Sequence, residues 1–136
     1  RLSWALDRYQ SMVALVDVAQ VAADVLSKPA DHSGATYELV APGRYAAHDL
    51  GSIIAKVTGT PIEVEEISCD SFLAQVLGKP DDFPYQAKLM RAISARYSSH
   101  DFIGNPNVLT WLLGRPPTTF EQFVKSEFEE FRASKH

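Results

Sequence analysis

The chain has 136 residues, 46% hydrophobic and 22% charged, which suits one globular domain over 1–136 with a single core of useful size. Thirteen basic against seventeen acidic residues give a net charge of −4, and no run of Lys and Arg is interleaved with aromatics, so nucleic acid is not an expected partner. The single Cys69 excludes an internal disulfide, and no apolar run approaches the roughly 20 residues that cross a bilayer, so a cytoplasmic protein without a membrane partner is expected.

Arg1, with no initiator Met and no leader pattern after it, is what a piece of a longer protein would show. The first legible unit is MVALVDVAQVAADVLSKP, Met12 to Pro29. Five apolar residues run into Asp17, and Val18, Val21, Ala22 and Val25 then repeat at helical spacing. The run lacks polar alternation, as an interior strand of a parallel sheet does. Asp17 stands at the expected N-cap with Gln20 as its capping-box partner, and Pro29 stops the helix. ATYELV, Ala35 to Val40, alternates as a half-buried strand before the Pro42-Gly43 turn. A second helix follows through Leu50, Ile53, Ile54 and Val57 and closes at Gly59 and Pro61. IEVEEI, Ile62 to Ile67, reads as a strand with one wet face.

From Cys69 the pattern turns helical. Phe72, Leu73, Val76 and Leu77 make a short piece ending at Gly78; Asp81-Asp82 then precede a longer helix carrying Tyr85, Leu89, Met90, Ile93 and Tyr97. Near the end, Val108 to Leu113 is a short helix, Gly114 its stop and Pro116-Pro117 a stiff elbow. Thr118 or Thr119 restarts a helix that presents Phe120, Phe123, Val124 and Phe128, with Glu121 or Gln122 at the capping-box position. Lys125, Glu127, Glu129, Glu130 and Arg132 make its solvated face.

VDVAQVAADVL, GATYELVAP and TGTPIEVEEIS, in that succession, resemble the carboxy-terminal half of atypical extended short-chain dehydrogenase/reductases, and NPNVLTWLLGRPPTTFEQFV resembles their NmrA-like branch. The resemblance runs from about Met12 to about Val124. It implies an α/β chain: the C-terminal part of a Rossmann-like NAD(P)-binding fold, about three short strands with a helical substrate-side lobe. It also implies NAD(P) as cofactor of the full-length parent and a small-molecule substrate. The dinucleotide site of the family lies in a glycine-rich first strand-turn-helix. Here the seven glycines, at 34, 43, 51, 59, 78, 104 and 114, are scattered, so this chain alone is expected to bind no cofactor. The Tyr-Lys pair of conventional relatives also belongs to the earlier half, so no residue here inherits a catalytic role.

Within this resemblance Phe83, Met90, Tyr97 and His100 are candidates for substrate binding. The first three supply apolar wall, against the alternative of core packing; His100 supplies a neutral donor or acceptor, against the alternative of a plain helix end. Tyr97 and His100, three apart, are expected on one helix face. Asp17 lies at a strand-to-helix junction where ligands sit in such folds, and the N-cap is the competing reading. His32, His48, His136 and Cys69 lack metal-ligand spacing, and the consecutive Ser99-His100-Asp101 cannot form a triad because their side chains diverge. Three readings stay open: half of a reductase for small hydrophobic carbonyl or unsaturated compounds, a redox-sensing regulator with a protein partner, and a plain interaction domain. A homodimer is compatible with each.

Overall fold

The computed structural model describes residues 1–135, so His136 lies outside the described residues. Six α-helices follow in chain order: α1 Leu15–Ser27, α2 Ala47–Thr58, α3 Cys69–Leu77, α4 Pro84–Ser99, α5 Asn107–Leu113 and α6 Phe120–Ala133, with a 3-10 turn at Pro80–Asp82 before α4. Their ends follow local chemistry. Thr119 caps α6, its hydroxyl accepting from Gln122 N at 3.2 Å while Gln122 Oε1 accepts from Thr119 N at 2.8 Å. Of the two threonines left open by the sequence, Thr119 is therefore the cap. Gly114 ends α5 at φ 64°, a left-handed conformation that a residue with a Cβ adopts only with strain.

The helices pack in pairs, α2 on α6, α1 on α5 and α3 on α4. Leu73 of α3 and Leu109 of α5 are fully buried, and Val21 of α1 nearly so. On α4 the apolar series read from the sequence is only partly inward: Tyr85 and Leu89 are exposed and Met90, Ile93 and Tyr97 half-buried, while the buried residues are Ala87 and Ser94. Small polar residues hold this helix to the amino-terminal segment instead. Ser94 Oγ lies 2.7 Å from Ser3 Oγ, and Ser98 Oγ accepts from Ala5 N at 3.1 Å.

Among the described residues the three expected strands do not form as ladders; extended segments meet there at isolated bridges. Gln10 is the hub, pairing antiparallel with Tyr45 and parallel with Phe102. Around it Gln10 N donates to Tyr45 O (3.0 Å), Ser11 N to Phe102 O (2.7 Å) and Ala41 N to Met12 O (2.7 Å). The run expected as a strand from Met12 to Val16 is half helix, because Asp17 N and Val18 N already bond to Ala14 O. Among the described residues no main-chain group of Thr36 to Val40 has a main-chain partner. Glu65 and Ile67 bond to Leu2, and Val64 on the dry side of that segment packs so closely on Gly51 of α2 that a Cβ there would lie 2.6 Å from Val64 Cγ2. Strand formation fails here for want of neighbours, since a ladder needs a partner whereas a helix bonds within itself.

Candidate functional site

Beside the hub, three aromatic rings pack into one wall, Tyr97 stacked on Phe102 and tilted against Trp4. Tyr97 lies between Trp4, centroids 5.3 Å apart, and Phe102, 4.5 Å apart and nearly parallel. The Arg96 guanidinium stands 5.1 Å over the Phe102 ring. The loop leaving α4 is fixed on both sides: Asp101 Oδ1 accepts from Tyr9 N at 3.0 Å, and Ser11 Oγ accepts from Gly104 N at 3.2 Å. At Gly104 a Cβ would sit 2.6 Å from Glu38 Oε1 and 2.9 Å from Val40 Cγ2, so the loop passes the 38–40 segment with no room for a side chain.

The four sequence candidates do not converge. Tyr97 is half-buried in the aromatic wall; Met90 is half-buried on α4; Phe83, 44% exposed, stands just before α4. His100 is exposed, with Nδ1 2.7 Å from Ser99 Oγ. Its φ of −144° and ψ of 146° carry it off the helix, so it does not share a helical face with Tyr97 as their spacing suggested. The spacing rule applies only while the helix continues, and α4 ends at Ser99.

Asp17 is not a cap. Ala14 holds the N-cap position of α1, and Gln20 Nε2 turns to Asp24 at 3.2 Å. Asp17 is 0% exposed and reaches across to the elbow before α6. Its Oδ2 accepts from Thr118 N at 2.6 Å; its Oδ1 accepts from Arg115 Nη2 at 2.7 Å and Thr118 Oγ1 at 3.1 Å. Burial pushes this carboxyl pKa up, but the Thr118 amide, the Arg115 guanidinium and the Thr118 hydroxyl outweigh it and hold the group below its ordinary value. Next to this clamp lies a pit of about 160 Å³ lined by Met12 to Leu15 and by Thr118, Thr119, Phe120 and Phe123. The sequence marked Asp17 and Thr118 separately; nothing in the spacing joined positions 17, 115 and 118. Of the wall only Tyr97 was read: Trp4 lies in a first stretch without periodicity, and Phe102 in the irregular segment that follows α4.

No protein-family model matches the sequence, and no curated protein does. Solved structures do match. The chain is similar to an NADPH-dependent quinone oxidoreductase from Escherichia coli, with a TM-score of 0.74 and 25% identity over 93% of this chain and 45% of that one. It is similar to the triphenylmethane reductase of Citrobacter sp. complexed with NADP(H), with a TM-score of 0.69 and 25% identity over 88% of this chain and 41% of that one. A nucleoside-diphosphate-sugar epimerase from Staphylococcus aureus gives 0.70 and 23% over 92% and 43%. Two of these neighbours are named as reductases with NADPH or NADP(H) and the third as an epimerase, in agreement with the resemblance of the sequence to the carboxy-terminal half of dehydrogenase/reductases. The chain spans less than half the length of the solved chains it matches.

Proposed function

We propose that this chain is the substrate-side half of a longer NAD(P)-dependent oxidoreductase acting on a small, hydrophobic carbonyl or unsaturated compound. The observation that carries the reading is the likeness, over about nine-tenths of this chain, to two reductases whose names couple NADPH or NADP(H) to quinones and to triphenylmethane compounds. The surface supports it. Besides the face of α1 that meets α5, a second stripe of Leu15, Ala19, Ala22 and Leu26 points to solvent, with both leucines 79% exposed. A helix apolar on two sides is built to lie between two layers. The unpaired main chain of Thr36 to Val40 offers the edge on which a further strand would add. Together they suit a sheet contributed by the dinucleotide-binding half.

The residues present do not fit the dinucleotide itself. Gly43, the glycine nearest the start of α2, is crowded by the Tyr45 ring, and Met12, Val13 and Ala14 before α1 leave no glycine cradle for a pyrophosphate. What this half contributes is an apolar wall, fixed by the Trp4-Tyr97-Phe102 stack, that receives the substrate and keeps water from it. The test is to recover the reading frame ahead of Arg1, express the whole product and follow NADPH oxidation with quinone and dye acceptors. Turnover is expected there, and calorimetric titration of the 136-residue chain alone should show no micromolar binding of NADPH. A whole product that binds the nucleotide yet reduces none of the acceptors would overturn the reading in favour of a regulator.

A further inference from the structure

Between α1 and α5 opens a cavity of about 420 Å³ that shares no residue with the aromatic wall or the Thr118 pit. Its apolar lining is Val21, Val25 and Leu112, buried or half-buried, together with the Trp111 indole, which is 73% exposed. Most of the remaining surface is polar, and its polar side chains are Asp24, Lys28 and His32. Asp24 and Lys28 are four apart, a spacing that pairs opposite charges while a helix continues. Here α1 ends at Ser27 and Lys28 leaves it at φ −134° and ψ 58°; among the described residues neither charge is in an ion pair. Gln20 Nε2 donates to both Asp24 oxygens at 3.2 Å, which holds the carboxylate without neutralising it. His32 is set by Tyr37, whose hydroxyl lies 2.8 Å from Nδ1 with the two rings edge to face. A hydroxyl donating to Nδ1 leaves Nε2 as the N–H of the ring. We propose that this cavity binds a free α-amino acid with an aromatic side chain, its ammonium on Asp24, its carboxylate on Lys28 and His32, and its ring against Trp111.

The charges select the ligand class. A simple carboxylate would be attracted by Lys28 and repelled by Asp24, and a simple amine the reverse, whereas a zwitterion meets both. Asp24 and Lys28 are exposed, so a ligand reaches them without any movement of the chain. The indole and the aliphatic lining suit a ring, since aromatic pairs add attraction beyond the area they bury. The volume lies within the range of ligand pockets, and it is well above the roughly 150 Å³ that admits a benzene ring, which leaves room for the charged head. Tyr37 is not among the lining residues, so it is a positioning residue that acts through His32. The site is independent of the reductase reading and is decided without nucleotide or acceptor.

The test is a titration of the 15N-labelled 136-residue chain with L-phenylalanine, followed by nuclear magnetic resonance. The chain has two tryptophans, Trp4 and Trp111, so its two indole N–H signals are assigned with the Trp111→Phe variant. A saturable shift of the Trp111 signal is expected while that of Trp4 stays in place. Lys28→Gln and Asp24→Asn, both at exposed positions that do not disturb the fold, should each weaken binding about fivefold. N-acetylphenylalanine and phenylalanine amide each lack one of the two charges and should lose at least as much; Tyr37→Phe should lose less. A shift that does not saturate, equal movement of the Trp4 signal, unchanged binding by Lys28→Gln, or N-acetylphenylalanine binding as tightly as phenylalanine would each overturn the proposal.

Discussion

Replacing Asp17 by Asn removes one charge and almost no volume, so its effect reports the clamp rather than packing. The carboxylate accepts three hydrogen bonds, from Thr118 N, Thr118 Oγ1 and Arg115 Nη2. An amide keeps one acceptor oxygen. If that oxygen stays on Thr118 N, the amide NH2 faces the Arg115 guanidinium, donor against donor; the Thr118 hydroxyl can rotate and accept. One charge-assisted bond is then lost and one donor is left facing another at a fully buried position. The cost is about 2 to 4 kcal/mol, a typical charged hydrogen bond plus part of the penalty for an unsatisfied group. Arg115 is about half exposed, so water replaces its share and Arg115→Met should cost less, about 1 kcal/mol. Urea unfolding followed by far-UV circular dichroism would show Asp17→Asn as a midpoint lowered by roughly 1 to 2 M, taking a slope near 2 kcal/mol per molar. The pH dependence follows from the direction of the shift. A carboxyl held below its unfolded value of 3.8 stabilises the fold fully above that pH and loses the contribution as pH falls through the lower, folded value. The gap between wild type and Asp17→Asn should therefore be constant from pH 7 to about 5 and close below pH 4. A gap under 0.5 kcal/mol at pH 7, or one that widens in acid, would refute the clamp.

Thr119→Ala should cost about 1 kcal/mol through the lost cap of α6, read from the same unfolding curves, while Thr119→Asn should restore most of it. Gly104→Ala drives a methyl into Glu38 and Val40; because the Glu38 tip can swing away and Val40 cannot, a loss of about 1 to 2 kcal/mol is expected, checked by thermal unfolding and relieved in part by Val40→Ala. His100→Ala, at an exposed position beyond α4, should leave the unfolding midpoint unchanged; a fall in quinone turnover by the whole product at constant stability would give His100 a role toward substrate, and unchanged turnover would return it to an ordinary helix end.

The helices were legible because their signals are local. Gly59, Gly78 and Gly114 stop α2, α3 and α5 where the sequence places them, and the Thr119-Gln122 box opens α6. What failed was long-range. The apolar run before Asp17 has the composition of an interior strand, yet Leu15 and Val16 are already helical, because composition does not say where the first helical bond closes. Residues 35–40 alternate as a strand should, but alternation records which sides are wet and dry and not whether a neighbouring strand is present. The candidate site suffered most. Trp4 lies in a stretch without periodicity, and it joins the aromatic wall only once Leu2 has paired with Glu66 and Gln10 with Tyr45 and Phe102.

The same distinction explains why a charge sits at position 17 at all. α1 packs on α5, has buried or half-buried valines at 18, 21 and 25, and carries an exposed apolar stripe from Leu15 to Leu26, so contact with α5 alone leaves its rotation about its own axis weakly determined. Apolar contacts do not specify direction, whereas three hydrogen bonds to one carboxylate do. Leu at 17 would bury more apolar area but would allow α1 to roll, exchanging the stripe that meets α5 for the one that faces outward. Fixed by Arg115 and Thr118, the helix instead presents Leu15, Ala19, Ala22 and Leu26 as an exposed apolar stripe with small residues at its centre. The clamp and the exposed stripe are thus two sides of one arrangement: the carboxylate stabilises the carboxy-terminal elbow and, through it, sets the face that α1 turns to solvent.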